Sequence, residues 1–241
     1  MAVSAAPFSM ARVVVVGVGG LGTPAVRALA HAGVGSLVLV DDDTVDRTNL
    51  HRQILFRDAD VGRHKLDAAA DAVERQAGGV RPAVELVRER LHPGNALRVF
   101  AGASVVLECS DNYATKFLAA DAARLSEVPI VHGAAIRWVG TALAVGPQGG
   151  PCYRCLFEDL PEGAQATCDL AGVVGPVCGI IGALQASFAL ELLGGGAPFG
   201  KLASLDGLHD ELRFHTVKPR TSCALCGVRT IVDIDPARYL A

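Results

Sequence analysis

Three groups of residues have types and spacings that could do chemistry. Gly17-x-Gly19-x-x-Gly22 is a phosphate-cradling pattern, since glycines let the backbone turn tightly and bring N–H groups close to an anion. Asp41 stands 24 residues after Gly17, where an acidic side chain accepts hydrogen bonds from ribose hydroxyls. A dense charged run follows, DDDTVDRTNLHRQ from Asp41 to Gln53, with Lys65 beyond it and Asp111-Asn112 further on. Arg52 and Lys65 could neutralise charge growing on a departing pyrophosphate, and an aspartate at position 111 could hold Mg²⁺. The third group is four cysteines in two pairs, Cys152-x-x-Cys155 and Cys223-x-x-Cys226, with 67 residues between the pairs. Four thiolates close a tetrahedral Zn²⁺ site with no open position, hence a structural one. Two redox pairs, or reduced buried thiols, would read the same way. The glycine pattern alone does not separate NAD from ATP, nor either from a turn kept for packing.

These residues need elements to place them. Arg12–Gly17 reads as a buried strand, Gly20–Ala32 as the helix opened by the glycines, and Ser36–Asp41 as a second strand. A helix is expected over Arg63–Gln76, strands over Pro82–Val87 and Ser104–Glu108, a helix over Asn112–Leu125 with Asp111 as its N-cap, and a fifth strand over Pro129–Ala134. This β-α-β rhythm predicts an α/β fold: a doubly wound, mostly parallel Rossmann-like sheet. Asp41 and Asp111 then fall at the carboxyl ends of strands, where such sheets bind ligands. After Trp138 the character changes. Thr141–Val145, Leu202–Asp206 and Glu211–Val217 read as antiparallel strands around an apolar helix, Pro176–Leu193, closed by Gly194–Gly196. No linker divides the chain, so residues 1–241 are expected to form one domain. Its nucleotide-binding half covers about 12–135 and its cysteine-bearing elaboration about 136–230.

Composition narrows the classes. The 241 residues are 51% hydrophobic and 20% charged, which excludes disorder as the main state. A net charge of −3 with no basic run, and 5% aromatics, give no support to nucleic-acid binding. Mean hydropathy is high at +0.35, but the longest apolar stretch, Ala171–Leu184, is 14 residues and contains four glycines and Pro176. A membrane span needs about 20 apolar residues, so a buried core helix is expected there. No signal-peptide pattern opens the sequence, and the expected location is cytoplasmic.

The strings GVGGLGTP (Gly17–Pro24), DDDTVDRTNLHRQ, Lys65, SDN (Ser110–Asn112), CYRC (Cys152–Cys155), CDLAGVVGPVCG (Cys168–Gly179) and CALC (Cys223–Cys226) together resemble the ThiF/MoeB/HesA family, bacterial relatives of ubiquitin-activating enzymes. The resemblance covers residues 12 to about 227. It implies adenylation, with ATP and Mg²⁺, of the C-terminal glycine of a small ubiquitin-like sulfur-carrier protein ending in Gly-Gly. Carried over by motif, Gly17, Gly19 and Gly20 line the phosphates and Asp41 binds the ribose. Asp43, Asn49, Arg52, Gln53 and Asn112 contact the nucleotide, Arg52 and Lys65 act on phosphates, and Asp111 is the Mg²⁺-holding catalytic acid. Zn²⁺ on the four cysteines and a homodimer are implied as well. In some members a cysteine at the place of Cys168 attacks the acyl-adenylate or carries sulfur. Asp169 beside it would raise the thiol pKa and slow that chemistry. Cys109 and Cys178 read as core thiols.

Relatives usually begin with a helix carrying an RYxRQ-like segment that supplies an arginine to ATP across the dimer. Eleven residues precede the first strand here and no such motif is among them, so either another cation replaces that arginine, with Arg137 beside Trp138 as the candidate, or the chain is a divergent member. The sulfur donor is expected to be a separate protein. Three other functions fit parts of the pattern. They are an activating enzyme for a carrier or peptide of natural-product biosynthesis, a catalytically silent zinc-bearing scaffold, and an NAD-dependent oxidoreductase, the last disfavoured by Arg52, Lys65 and Asp111 together.

Overall fold

The computed structural model describes residues 8–76, 81–160 and 172–240. Strand β1 (Arg12–Val16) leads through α1 (Gly22–His31) to β2 (Ser36–Val40), and α2 (Lys65–Gln76) leads to β3 (Ala83–Val87). A short helix, α3 (Ala96–Phe100), precedes β4 (Val105–Glu108), and α4 (Tyr113–Leu125) carries the chain to β5 (Ile130–Ile136). Then come β6 (Val139–Val145), α5 (Tyr153–Phe157), α6 (Gly175–Leu193), β7 (Lys201–Asp206) and β8 (Glu211–Thr216).

All eight strands form one sheet in the order β3-β2-β1-β4-β5-β6-β7-β8. β3, β2, β1, β4 and β5 run parallel, and β6, β7 and β8 continue antiparallel. The strand order reverses between β1 and β4, which opens a crevice at their carboxyl ends. The expected fold class is what forms.

The valines of β1 are buried on both faces, which explains the unbroken apolar run RVVVV. Val13 and Val15 join the core shared with α1, α2 and α6, while Val14 and Val16 join the core shared with α3 and α4. α6 is long and apolar enough to cross a membrane by length and composition. In this fold it packs on α1, β5 and β6, burying Val177, Ile181, Gln185, Phe188 and Ala189.

Three readings are adjusted. The N-cap of α4 is Asn112, not Asp111: its backbone is extended and its side chain accepts from the Thr115 N–H at 2.8 Å. β5 and β6 run further into their connecting turn than the sequence suggests, because Ile136 and Val139 pair across it. The helices α3 and α5 are five residues each, too short to show a helical period.

Candidate functional site

The crevice holds a cavity whose lining includes Gly17, Gly19, Gly20, Asp41, Asp43, Asn49, Arg52, Gln53, Lys65, Asp111 and Asn112. Every nucleotide-site residue expected from the sequence is therefore in one place. The chain leaves β1 at Gly17 with φ +87°, pressed so closely on Cys109 and Ser110 that an added Cβ would sit 3.0 Å from backbone. A Cβ on Gly22 would lie 2.0 Å from the Gly17 carbonyl oxygen, so the turn closes only with glycine there. The N-terminal ends of α1, α4 and α6 all meet this cavity, at Leu21, Asn112 and Val173. The positive ends of three helix dipoles give it a field suited to a polyanion.

Asp41 ties the two loops together. One oxygen accepts from the Val18 N–H at 2.7 Å and the other from the Asp43 N–H at 3.0 Å. Burial raises its pKa above the ordinary carboxylate value, with Lys65 opposing from 3.8 Å. Lys65 itself is almost wholly buried and donates to Asp43 at 2.6 Å. Gln53 is buried, and its Oε1 has no hydrogen-bond partner among the described residues. A buried amide oxygen left this way on a cavity wall suits a ligand donor. Asp111 lines the cavity with an exposed carboxylate, since Asn112 has taken the capping role. These features fit a nucleoside triphosphate and its divalent cation.

The structure adds residues the sequence reading missed. Arg90 and Leu91 line the cavity beyond β3, and Arg90 lies 3.7 Å from Asp42. The rule that ligands meet the carboxyl ends of strands would have reached them. Thr115 and Lys116 in the first turns of α4 also line it, as do Ala134, Ala135, Gly172 and Val173. Cys178 is buried as expected, yet it borders the cavity too. Cys109 is a core thiol donating to Gln185, its pKa pushed up by burial. Arg137 does not line the cavity. It sits in the left-handed turn after β5 with its side chain exposed, and its backbone bonds Gly172 and Val174. Cys168 and Asp169 lie outside the described residues.

The four other cysteines gather as their spacing suggested. Their sulfur atoms lie within 4.8 Å of one another: Cys152–Cys155 3.9 Å, Cys152–Cys223 3.5 Å and Cys155–Cys226 3.4 Å. Tetrahedral ligation at about 2.3 Å sets sulfurs about 3.8 Å apart, whereas a disulfide needs about 2.05 Å. The donor set fits Zn²⁺. Burial works against ionisation of the Cys223 thiol, but the N–H groups of Cys226 and Leu225 bring its pKa down to about 7. Burial and the three neighbouring sulfurs push Cys152 up, as expected of thiols that need a cation to ionise together.

Residues 7–228 match the profile of the ThiF family. The chain belongs to the ThiF family. Among curated relatives, the SAMP-activating enzyme E1 of Haloferax volcanii is 44% identical over 234 residues, covering 93% of this chain and 84% of that enzyme. The adenylyltransferase and sulfurtransferase MOCS3 of Bos taurus is 41% identical, covering 94% of this chain and 50% of its own length. The corresponding UBA4 of Yarrowia lipolytica is 39% identical, covering 90% and 55%. The chain thus spans about half the length of those two relatives. Among solved structures, E. coli MccB with ATP superposes with TM-score 0.79 at 19% identity, covering 92% of this chain and 68% of that one. At that identity the likeness concerns the ThiF fold alone.

Proposed function

We propose that this ThiF-family chain adenylates the C-terminal glycine of a small ubiquitin-like sulfur-carrier protein, using ATP. The observation that carries the reading is the meeting of the glycine turn, Arg52, Lys65 and Asp111 in one cavity at the strand-order switch point. The names of the 44%-identical SAMP-activating enzyme and of the MOCS3 and UBA4 adenylyltransferases favour a protein carrier as acceptor.

The nucleophile of this reaction is a carboxylate, already ionised at neutral pH, so no general base is needed. It attacks the α-phosphorus, the acyl–phosphate bond forms as the bond to pyrophosphate breaks, and the leaving group departs as an anion. The chain's task is to bring two anions together and to hold the charge that grows on the leaving group. In this reading Gly17, Gly19 and Gly20 give the phosphates backbone N–H contacts and the three helix N-termini supply the field. Arg52 and Lys65 are the cationic partners of the phosphates, with Lys65 exchanging Asp43 for phosphate. Asp41 holds the ribose, and Asn49, Gln53 and Asn112 flank the nucleotide. Asp111 would hold Mg²⁺, which when bound would neutralise phosphate charge and hold the triphosphate for in-line displacement. A covalent role for Cys168 remains part of the proposal, as do a homodimer and a separate sulfur donor.

Residues 12–135 then form the nucleotide half and 136–230 the zinc and carrier half. Trp138 and Leu208 are exposed in the two turns at the cavity edge of the antiparallel strands, with Leu212 and Phe214 further along β8. This apolar ledge beside the cavity suits the globular body of a carrier whose tail enters between Asp111 and Ala134.

The test is ATP–pyrophosphate exchange with a panel of small carriers ending in Gly-Gly. Exchange is expected with at least one, and Asp111→Ala should lower it by at least a thousandfold without lowering the melting temperature. A thermal shift with NAD and none with Mg-ATP would overturn the reading in favour of a dehydrogenase.

A further inference from the structure

β4 ends in an acidic residue that the reaction above does not use. Glu108 is fully buried, one position before Cys109 and three before Asp111. Its Oε2 receives Lys116 Nζ at 2.7 Å, and Lys116 donates again to the Gly133 carbonyl at 2.5 Å. Lys116 is itself buried on the cavity wall, in the second turn of α4. The other carboxylate oxygen, Oε1, turns back on its own chain. It accepts from the Ser110 N–H at 2.8 Å and from the Ser110 hydroxyl. Lys116 and His132 hold the Glu108 pKa down although burial pushes it up, so the carboxylate is a buried anion with a cationic partner.

The opposite face of the sheet grips the same point. Gln185, fully buried in α6, donates to the Glu108 carbonyl at 2.9 Å and the Val131 carbonyl at 3.1 Å, and accepts from the Cys109 thiol at 3.4 Å. The last residue of β4 is therefore held by side chain from the α4 face and by backbone from the α6 face. The segment leaving it has its Ser110 N–H fixed by Glu108 and its helix start fixed by the Asn112 cap. Asp111 is the single residue between these two anchors.

A buried ion pair is weak evidence for stability, because its desolvation offsets its attraction; an apolar pair of similar volume often serves as well. What an apolar pair cannot do is accept the Ser110 N–H. We propose that Glu108, braced by Lys116 and backed by Gln185, is a positioning residue that sets the aim of Asp111 into the cavity. This rests on the reading of Asp111 as the cation-holding carboxylate.

The experiment uses Mn²⁺ with the non-hydrolysable analogue AMPCPP, reading free Mn²⁺ by its electron paramagnetic resonance signal. Glu108→Leu with Lys116→Met removes both charges together with the acceptor for the Ser110 N–H, and leaves no uncompensated ion. The double variant should melt cooperatively, weaken Mn²⁺ binding at least tenfold, and leave the KM for the carrier within twofold. Ser110→Ala deletes one of the two Glu108 bonds to the segment without touching the buried charges. It should weaken Mn²⁺ two- to threefold in the wild type and have no further effect in the double variant, the non-additivity that a shared device requires. A folded double variant with Mn²⁺ affinity within twofold of wild type would overturn the proposal. If the double variant does not fold, Ser110→Ala with unchanged affinity does so alone. A wild type that binds Mn²⁺–AMPCPP but exchanges pyrophosphate with no carrier defeats the functional reading and leaves this test standing. A wild type that binds no Mn²⁺–AMPCPP overturns both.

Discussion

The cavity at the sheet's carboxyl edge and the cysteine cluster on the α4 face are both built from polar groups, and they use them in opposite ways. In the cavity, Asp111 is exposed, the buried Gln53 oxygen has no partner among the described residues, and Lys65 is paired with a carboxylate that solvent reaches. Around the cysteines most polar groups are engaged with one another, the Nε atoms of Arg124 and Arg220 being buried without a partner among the described residues. Arg154 donates to both oxygens of the buried Asp121 at 2.7 and 2.9 Å, and Tyr239 donates to the same carboxylate at 2.8 Å. Arg154 sits between the cysteines of the first pair, and Arg220, three residues before the second, donates to the Arg154 carbonyl at 2.7 Å. Two stretches distant in sequence, 152–159 and 220–239, are thereby fastened to α4, the helix that leads into β5. A region whose bonds close on themselves stabilises; a region whose bonds stay open is available to ligands.

The sharpest way to break this contrast is to empty the cysteine cluster. Cys223→Ser with Cys226→Ser, or metal removal by a strong chelator, should cost about 5 kcal/mol or more, since structural Zn²⁺ contributes folding energy directly. For a chain of this size that is a fall in Tm of about 10–20 °C. ATP affinity per folded molecule, measured by calorimetry well below the melt, should stay within twofold. A metal-free protein that melts within about 2 °C of the holoprotein would show that the cluster is not a structural metal site.

A smaller effect is expected from Asp121→Asn, which keeps the shape and removes the charge. Arg154 would then be a buried cation without its bidentate partner, a loss of about 3–5 kcal/mol. The nearly neutral KM for ATP expected of this variant is the informative part. A tenfold rise in KM with little loss of Tm would mean that the two regions are coupled through α4 rather than divided in labour.

How much of this was legible in the sequence depended on the kind of signal. The parallel core was legible because strands buried on both faces leave unbroken runs such as RVVVV and SVVLE. The cysteine cluster was legible because two CxxC pairs name their own partners. Asp111 was placed at the right strand end but given the wrong local task. Two adjacent residues, Asp111 and Asn112, can both cap a helix, and only the backbone conformation decides between them. The choice bears on chemistry, because capping by Asn112 leaves the Asp111 carboxylate to the cavity. Lys116 and Glu108 were not legible as a pair. A lysine five residues past an aspartate reads as solvated helix surface, and a glutamate closing a strand reads as its solvent end. Their burial follows from α4 lying along β4 and β5, a tertiary fact with no local signature. Arg154 and Asp121, 33 residues apart, are the same case.

The smallest expected effect concerns acid, and it separates two carboxylates at the same sheet edge. Asp41 at the end of β2 has its pKa raised by burial, whereas Glu108 at the end of β4 has its pKa lowered because Lys116 and His132 outweigh burial. A carboxylate whose folded pKa lies below its unfolded value of 4.5 contributes stability that is fully present above that pH and lost as pH falls through the folded value. Asp41 has the opposite sign: its folded pKa lies above 3.8, so acidification through it relieves a cost rather than removing a gain. In the wild type the two contributions oppose each other. Glu108→Leu with Lys116→Met deletes the Glu108 contribution and keeps that of Asp41. The Tm of the wild type should therefore fall more steeply than that of the double variant once pH drops below about 4.5, while the two curves run parallel between pH 6 and 8. Parallel curves at every pH would mean that the Glu108 carboxyl carries no native ion pair, and the clamp on Ser110 would lose its charge.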